Sequence, residues 1–338
     1  MTPFEYLTPR SVKEVCGALK QYGTEGKLVA GGTALIIMMR QRLVRPTALI
    51  SLRSVRGLNQ ITADDGGLKI GSLLTHREVE TNPLVKRRFP LLSDTYRHVA
   101  TIRVRNMATV GGGLAHADPN QDPPPALIAL NASLKAVSAD GSRVIPIEEF
   151  FNDYYETILK PDEIITEVLI PKQPQGSAGA FIKFLPRTAD DYATVSAAVM
   201  VTLDKTQKVF QDVRIGLGSV GVTPIRAKEA EAILRGQPVK VEALREAGEK
   251  AKGEVDPISD LRGSAGYKKE MVGVFVRRAL EQALSVARST AKRPAGTTVG
   301  KVVGRTLKKT AAKLRAIAKK PAKKPAKRTT PSRRGKRK

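Results

Sequence analysis

The chain has 338 residues, 41% of them hydrophobic, which predicts a globular protein with a sizeable core. Its formal net charge of +26 is unevenly spread, because 20 of the 58 Lys and Arg residues lie in residues 288–338, where Asp and Glu are absent. A single cysteine, Cys16, excludes an internal disulfide framework and a self-contained iron–sulfur cluster. The sequence has no recognisable secretory signal and no apolar run of ~18 residues, so we expect a cytoplasmic protein without a transmembrane segment.

Residues 1–55 have the pattern of a small α/β unit. Ser11 is a candidate N-cap for a helix that Gly23 ends. The next predicted elements are a strand over residues 27–30, a turn at Gly31-Gly32, a helix over 33–42 and a strand over 48–52. In proteins with this order of elements, the backbone N–H groups at the start of the helix often bind a phosphate. A dinucleotide fold of the Rossmann type is the alternative, although AGGT does not match its GxGxxG motif.

Residues 56–172 mix short strands with helices. The predicted strands cover residues 58–62, 68–71, 134–137, 143–147 and 162–170, and the predicted helices begin at Thr75, cover 90–99 and cover 126–130. Thr75 and Glu78 match a capping box, which places His76 in the first turn of a surface helix. The mixture predicts an α+β domain rather than a doubly wound sheet.

Two glycine-rich stretches contain the candidate binding residues. Residues 28–35, LVAGGTAL, and residues 109–113, TVGGG, each combine glycines with an apolar run and a hydroxyl side chain. Glycine permits a positive φ, and a turn with exposed N–H groups binds anions. Taken singly, each stretch is better explained as an ordinary tight turn, whereas the pair favours two loops that clasp the phosphates of a dinucleotide. Asp118 and Asp122 add carboxylates shortly after the second stretch.

A boundary at residues 172–179 separates this region from a second pattern. The predicted strands are residues 180–185, 195–203 and 209–217, and the predicted helices are residues 225–234, 241–251 and 265–287. Alternating apolar residues along the third strand are typical of a half-buried sheet. The pattern therefore predicts a C-terminal domain of three strands and three helices.

Residues 288–338 form a basic tail rich in Lys, Ala and Pro. Residues 321–338 have no apolar period and are predicted to be disordered. Residues 299–320 place Val303, Leu307, Leu314 and Ile317 at helical spacing, which predicts a basic amphipathic segment able to fold on an acidic surface. Because polycations also bind phosphate backbones without sequence preference, a nucleic-acid-binding protein is the alternative function.

Five stretches, taken in order, carry a family resemblance. They are LVAGGTAL at residues 28–35, IGSLLTHREVE at 70–80, residues 102–130 around the glycine triplet, KFLPRTADDYATVSAAV at 183–199 and DPISDLRGSAGYKKEMVGVFVRRAL at 256–280. Together they resemble the FAD-binding medium subunit of molybdenum hydroxylases, the xanthine dehydrogenase–carbon monoxide dehydrogenase family. The resemblance implies an FAD-binding domain at 1–172 with subdomains 1–55 and 56–172, a C-terminal domain at 178–287 and, outside the family pattern, the tail at 288–338.

The resemblance also implies which residues contact FAD. They are Leu28, Val29, Ala30, Gly31, Gly32, Thr33, Ala34, Leu35, Thr109, Val110, Gly111, Gly112, Gly113, Asp122, Ile165, Lys183 and Tyr192. In this scheme Asp122 accepts from adenosine or ribityl hydroxyls, Lys183 places a charge near the flavin or its phosphates, and Tyr192 covers the ring. The family usually has Asn where this chain has Gly113, so one side-chain hydrogen bond is lost. Val99 stands where xanthine dehydrogenase has an aromatic residue.

The function that the resemblance implies is electron transfer by an oxidoreductase subunit. Iron–sulfur clusters on a small partner subunit would supply electrons to FAD, and NAD or another acceptor would take them. A large partner subunit would carry the molybdenum cofactor and oxidise the substrate. Neither a catalytic motif nor a metal-ligand spacing is present in this chain, because His98 and His116 have no Cys or carboxylate at the required distance in sequence.

Overall fold

The structure is a computed structural model that describes residues 3–185, 188 and 190–291. The amphipathic segment predicted at 299–320 and the disorder predicted at 321–338 lie outside the described residues. Along the described part of the chain, no helix has both the length and the apolar character needed to cross a bilayer.

The N-terminal part is a three-stranded parallel sheet with helices between its strands. Its elements are β1 (Glu5–Leu7), α1 (Val12–Tyr22), β2 (Gly26–Val29), α2 (Leu35–Arg40) and β3 (Ala48–Ser51). The strand order is β1-β3-β2, and both pairings are parallel. The predicted caps are confirmed, since Ser11 accepts a hydrogen bond from the Glu14 N–H and Gly23 donates to the Leu19 carbonyl. Helix α2 is shorter than the predicted 33–42, because Gly32 and Arg42 have positive φ values of 70° and 62° on either side of it.

The middle part is an antiparallel sheet covered by short helices. Its elements are β4 (Ile61–Asp64), β5 (Gly67–Gly71), α3 (His76–Thr81), α4 (Pro83–Arg88), α5 (Pro90–Arg97), α6 (Ile102–Arg105), α7 (Val110–His116), α8 (Pro123–Ala129), β6 (Ser133–Ser138), β7 (Gly141–Pro146), β8 (Phe151–Asp153), β9 (Glu156–Thr157) and β10 (Ile164–Pro171). The five-stranded sheet has the order β4-β5-β10-β6-β7, while β8 and β9 form a separate hairpin. These antiparallel strands confirm the α+β domain predicted for residues 56–172 and contradict a doubly wound sheet in this region.

The C-terminal part is a second antiparallel sheet with its helices. Its elements are β11 (Ser177–Phe184), β12 (Val195–Leu203), β13 (Phe210–Gly218), β14 (Ile225–Arg226), α9 (Lys228–Leu234), α10 (Val241–Ala251) and α11 (Ala265–Ala291). The sheet order is β11-β12-β13-β14. The three predicted strands and three helices are present, but the first residues of the helix predicted at 225–234 form the short strand β14. Helix α11 continues to Ala291 rather than ending at residue 287.

Helix α8 joins the middle and C-terminal parts. Ala126, Leu127 and Ile128 on this helix are buried in the core of the middle part. On its other side, Pro125 lies against β13, since a Cβ atom added to Gly216 would be 2.1 Å from the Pro125 carbonyl oxygen. This close approach holds α8 against the C-terminal sheet. The domain boundaries predicted at 55–56 and 172–178 stay predictions, because all three sheets belong to one compact unit, Met1–Ala291.

Candidate functional site

A cleft of about 410 Å³ lies between the loop after β2 and the start of α7. Its size is typical of a small-molecule site, for which ~300–1,000 Å³ is usual. Most of the predicted FAD contacts line it, namely Leu28, Val29, Ala30, Gly31, Gly32, Thr33, Ala34, Leu35, Thr109, Gly111, Gly112, Gly113 and Ile165. Val110, Asp122, Lys183 and Tyr192 are not part of this lining. Val110 instead packs into the hydrophobic core of the middle part.

The loop after β2 offers free hydrogen-bond donors to the cleft. Gly32 has a φ of 70°, a left-handed conformation that glycine adopts without steric cost. Among the described residues, the backbone N–H groups of Gly32, Thr33 and Ala34 have no acceptor within the chain. Consecutive free N–H groups form the kind of concavity that binds a phosphate. This loop therefore has the chemistry predicted for it.

The glycine triplet has a different structure from the predicted turn. Residues Gly111–Gly113 form the first turn of α7, with Thr109 as its N-cap, and their φ values are not positive. Gly112 donates to the Thr109 hydroxyl at 3.2 Å, Gly111 to the Ser72 carbonyl at 2.8 Å, and Gly113 to the Thr109 carbonyl at 2.9 Å. The expectation that this stretch presents free N–H groups is therefore wrong, because the Thr109 cap converts the turn into a helix. The glycines instead leave space, since they have no side chains to fill the cleft.

The two glycine stretches touch each other. A Cβ atom added to Gly31 would lie 1.8 Å from the Met107 carbonyl oxygen and 3.1 Å from the Ala108 Cα. A Cβ atom added to Gly112 would lie 3.8 Å from the Ala30 Cβ. Only a residue without a side chain fits at Gly31, so the loop after β2 is held directly against the segment leading into α7.

Asp122 and Lys183 form a buried ion pair beside α8. The Lys183 Nζ lies 2.8 Å from the Asp122 Oδ2, and the two side chains are 2% and 5% exposed. Lys183 also donates to the His98 carbonyl at 3.0 Å. Burial raises the pKa of Asp122 to about 6. Among the described residues, the buried Asp122 Oδ1 has no hydrogen-bond partner, which suits an acceptor for a ligand hydroxyl.

Tyr192 is hydrogen-bonded to Asp118 outside the lining of the cleft. The Tyr192 hydroxyl donates to the buried Asp118 Oδ2 at 2.7 Å, and the Arg262 guanidinium lies 5.5 Å from the centre of the Tyr192 ring. Burial and the Asp118 carboxylate raise the pKa of Tyr192, so its hydroxyl stays protonated. The Asp118 Oδ1 accepts from the Asn120 N–H at 2.9 Å, so the same side chain also stabilises the local turn.

Sequence reasoning missed Tyr155, which lies between the cleft and Asp118. It lines the cleft, its ring lies 5.1 Å from the His116 ring, and its N–H donates to the Ala117 carbonyl at 3.2 Å. Burial and the charge of the Asp118 carboxylate raise the pKa of Tyr155. Neither the short hairpin β8–β9 that carries it nor a local motif marks this residue in the sequence.

His76 is buried, contrary to the surface position predicted for it. The capping box of Thr75 and Glu78 is confirmed, but the His76 ring packs edge-on against Tyr96 with a centroid distance of 5.0 Å. Burial lowers the pKa of His76 to about 4, so the imidazole is neutral at physiological pH. The His76 Nε2 lies 3.3 Å from where a Cβ of residue 113 would be. A side chain at Gly113 would therefore have to share its space with His76.

Two family models match almost all of the part of the chain that precedes the tail. The family described as "FAD binding domain in molybdopterin dehydrogenase" matches residues 2–173, and the "CO dehydrogenase flavoprotein C-terminal domain" matches residues 180–283. The carbon monoxide dehydrogenase medium chain of Hydrogenophaga pseudoflava is 35% identical over 280 residues, which is 83% of this chain and 96% of that protein. The alpha subunit of the 6-hydroxypseudooxynicotine dehydrogenase complex of Paenarthrobacter nicotinovorans is also 35% identical, over 83% of this chain and 94% of that protein. A solved structure of carbon monoxide dehydrogenase from Hydrogenophaga pseudoflava superposes with a TM-score of 0.81 at 35% identity, covering 84% of this chain and 98% of that chain.

Proposed function

Since the chain belongs to the FAD-binding medium subunits of the xanthine dehydrogenase–carbon monoxide dehydrogenase family, we propose that it transfers electrons through FAD between partner subunits and an external acceptor. FAD is its cofactor, and the chain is a component of an oxidoreductase complex of the molybdenum hydroxylase type. The electrons come from iron–sulfur clusters on a small subunit, and NAD or another acceptor removes them. A large subunit with the molybdenum cofactor oxidises the substrate.

One observation supports the assignment of the cleft to FAD more than any other. Gly32, Thr33 and Ala34, whose N–H groups have no acceptor among the described residues, line the same cleft as the glycines of α7, and a diphosphate needs such free N–H donors. In the proposed site, this loop binds the pyrophosphate and the Asp122 Oδ1 accepts from a ribityl or adenosine hydroxyl. Lys183 holds Asp122 in place, and Asp118 holds Tyr192 for contact with the ring. Bound flavin supplies one- and two-electron chemistry, which none of the side chains of this protein can supply.

The visible spectrum of the purified chain tests the FAD site. We expect a flavin spectrum, or its appearance on incubation with FAD, and release of the chromophore on acid precipitation because no covalent link is proposed. A chain that stays colourless after incubation with FAD would contradict the proposed site. A chromophore that stays with the acid precipitate would contradict only the non-covalent attachment.

The composition of the purified complex tests the partners. The chain has one cysteine, so the iron–sulfur clusters must belong to another subunit. We expect a tagged chain to co-purify with a cysteine-rich small subunit and a large molybdenum-containing subunit, and its reduced flavin to be reoxidised by NAD or by another acceptor tested in parallel. Oxidation of substrate by the isolated chain would contradict this division of labour. The cytoplasmic location expected from the sequence stays a prediction.

A further inference from the structure

Gly113 leaves a gap in the wall of the cleft, and two polar side chains border that gap. Gly113 itself lines the cleft. A Cβ atom added to it would lie 3.3 Å from the His76 Nε2 and 3.6 Å from the Gln121 Oε1, and the three nearest heavy atoms outside the backbone of α7 belong to these two residues. The Gly113 gap, as we call this space, is therefore bordered by an imidazole and by a side-chain amide.

The side-chain amide of Gln121 contributes a hydrogen-bond donor that the described part of the chain leaves unused. Its Nε2 is buried and forms no hydrogen bond with any described residue. Buried side-chain amides are almost always hydrogen-bonded, because an unpaired one loses its bonds to water and gains none in return. The Gln121 backbone is held separately, since its N–H donates to the Asp118 carbonyl at 3.2 Å. The side chain is therefore available to a ligand.

The residue that follows Gln121 has an unused polar atom of the opposite kind. Lys183 donates to the Asp122 Oδ2 at 2.8 Å, whereas the buried Asp122 Oδ1 has no partner among the described residues. Two adjacent residues thus each keep one buried polar atom unpaired, a donor on Gln121 and an acceptor on Asp122. FAD has hydroxyl groups that donate and oxygen atoms that accept, so it matches both atoms.

The chemistry of the Gln121 amide narrows the choice of its partner. An amide N–H group is a donor, whereas a metal ion needs lone pairs, and within residues 3–185, 188 and 190–291 no group of three or more His, Cys, Asp and Glu side chains is placed to hold a metal ion. A buried water molecule or a ligand of the cleft would each accept a hydrogen bond from the amide. The structure favours the ligand, because Gly113 belongs both to the gap and to the lining of the cleft.

We propose that Gln121 is a further FAD-binding residue, whose side-chain amide donates a hydrogen bond to an oxygen atom of the cofactor at the Gly113 gap. This inference rests on the proposed function, because the oxygen atom belongs to the FAD assigned to the cleft. Position 113 has no side chain, so it provides no side-chain hydrogen bond to FAD. Gln121 provides one at the same gap from the segment between α7 and α8.

FAD titration of the full-length chain, freed of its flavin, tests the proposal. We expect Gln121→Met, which keeps the length of the side chain but has no amide, to weaken FAD binding by about 10-fold, the loss typical of one hydrogen bond. The urea midpoint of the flavin-free variant is expected not to fall, because the Gln121 Nε2 has no partner among the described residues to lose. Flavin fluorescence measures the affinity, and circular dichroism measures the unfolding.

A second pair of variants tests whether the amide itself is responsible. Gln121→Ala removes the amide from the gap, and Gln121→Ala/Gly113→Asn returns an amide to it from α7. We therefore expect the double variant to bind FAD more tightly than Gln121→Ala does. Asn120→Ala is the matched control, because it removes an amide from the neighbouring residue, whose atoms are not among those nearest to the gap. Its FAD affinity is expected to equal that of the unmodified chain.

The possible outcomes separate this inference from the proposed function. Unchanged FAD affinity in Gln121→Met would overturn the inference, and a lower urea midpoint at unchanged affinity would assign the amide to a buried water molecule instead. A double variant that binds no better than Gln121→Ala would overturn it as well. Each of these results leaves the proposed function standing. If the unmodified chain binds no FAD, the proposed function fails, and the inference fails with it.

Discussion

At the scale of single residues, burial shifts the pKa values of His76 and Asp122 in opposite directions for one physical reason. Burial penalises the charged form of each group, so the pKa of His76 falls from 6.5 to about 4 and that of Asp122 rises from 3.8 to about 6. His76 supports the wall of the cleft behind Gly113, and Asp122 accepts a hydrogen bond from the ammonium group of Lys183. Both residues therefore connect the stability of the site to pH.

We expect His76 to make the protein less stable in acid. Its pKa is lower in the folded than in the unfolded chain, so its contribution is complete above pH 6.5 and is lost as the pH falls towards about 4, a loss of about 3 kcal/mol. His76→Gln should remove this part of the pH dependence. Urea unfolding of both proteins at pH 7, 5 and 4 measures this pH dependence, and parallel stability profiles for the two proteins would contradict the assignment of His76 as buried and neutral.

The effect of Asp122 on the free energy of unfolding has the opposite pH dependence. Its pKa is higher in the folded than in the unfolded chain, so its stabilisation is complete below pH 3.8 and is lost as the pH rises through about 6.

The Asp122–Lys183 pair should behave as a unit. Asp122→Asn leaves the buried Lys183 ammonium without its carboxylate, which should lower the free energy of unfolding by about 3–5 kcal/mol at pH 7.5. Asp122→Asn/Lys183→Met removes both charges and should recover much of that loss, although FAD binding should stay weak in both variants. Urea unfolding and FAD fluorescence titration of the two variants test this. Equal destabilisation by the single and double variants would show that the two groups are not coupled.

At the scale of elements, the site depends on how closely two short segments approach each other. The loop between β2 and α2 provides free N–H donors, and α7 provides a surface without side chains. Gly31 allows the contact, because its Cα faces the backbone of Met107 and Ala108. Thr109 determines the conformation of the second segment, because its hydroxyl caps α7 by accepting a hydrogen bond from the Gly112 N–H. In an open turn that N–H group would be free to bind a ligand.

A methyl group at Gly31 should therefore separate the two segments. Gly31→Ala would place a Cβ 1.8 Å from the Met107 carbonyl oxygen, and the required backbone shift should lower the free energy of unfolding by about 1–3 kcal/mol and weaken FAD binding. Gly17→Ala in α1 is the matched control, because no heavy atom lies within 4 Å of the added Cβ. That variant should gain about 0.5–1 kcal/mol of stability and bind FAD normally. Unchanged FAD affinity in Gly31→Ala would mean that the cleft does not depend on this contact.

At the scale of the whole molecule, α8 brings together Asp118, Asp122 and Lys183 from distant parts of the chain. It packs between the middle and C-terminal sheets, where Gly216 and Gly218 leave room for Pro125. Asp118 and Asp122 precede this helix, while Lys183 belongs to β11. Most of the net charge of +26 comes from the tail, where 20 Lys and Arg residues are not balanced by any Asp or Glu.

Removal of the tail should leave the flavoprotein intact. A chain that ends at Ala291 retains all of α11, whereas a cut at residue 287 would remove the last turn beside the buried Ala287. We expect the shortened chain to keep its flavin spectrum and to lose the sequence-independent, salt-sensitive DNA binding expected of the tail. Gel retardation at low salt and the visible spectrum measure the two properties. Loss of flavin, or DNA binding equal to that of the full chain, would contradict the separation of roles.

Local sequence determined the elements and the type of cofactor site. Ser11 and Thr75 predict helix starts because an N-cap bonds only to residues a few positions away, and apolar alternation predicts strands for the same local reason. The ordered motifs also predicted an FAD-binding medium subunit, which the family comparisons confirm. These features depend on neighbours along the chain, so they can be read without the fold.

Only the tertiary structure decided which residues meet and in what state. Lys183 and Asp122 are 61 residues apart in sequence, and Tyr192 and Asp118 are 74 apart, yet each pair is joined by a hydrogen bond once α8 packs between the sheets. His76 has the local pattern of a surface residue, but α5 covers it with Tyr96. Thr109 caps α7 locally, but the N–H groups of Val110 and Gly111 donate to the carbonyls of Leu74 and Ser72, which lie far away in sequence. The burial of these side chains and their hydrogen bonds result from packing between segments that are distant in sequence, so the local sequence pattern does not predict them.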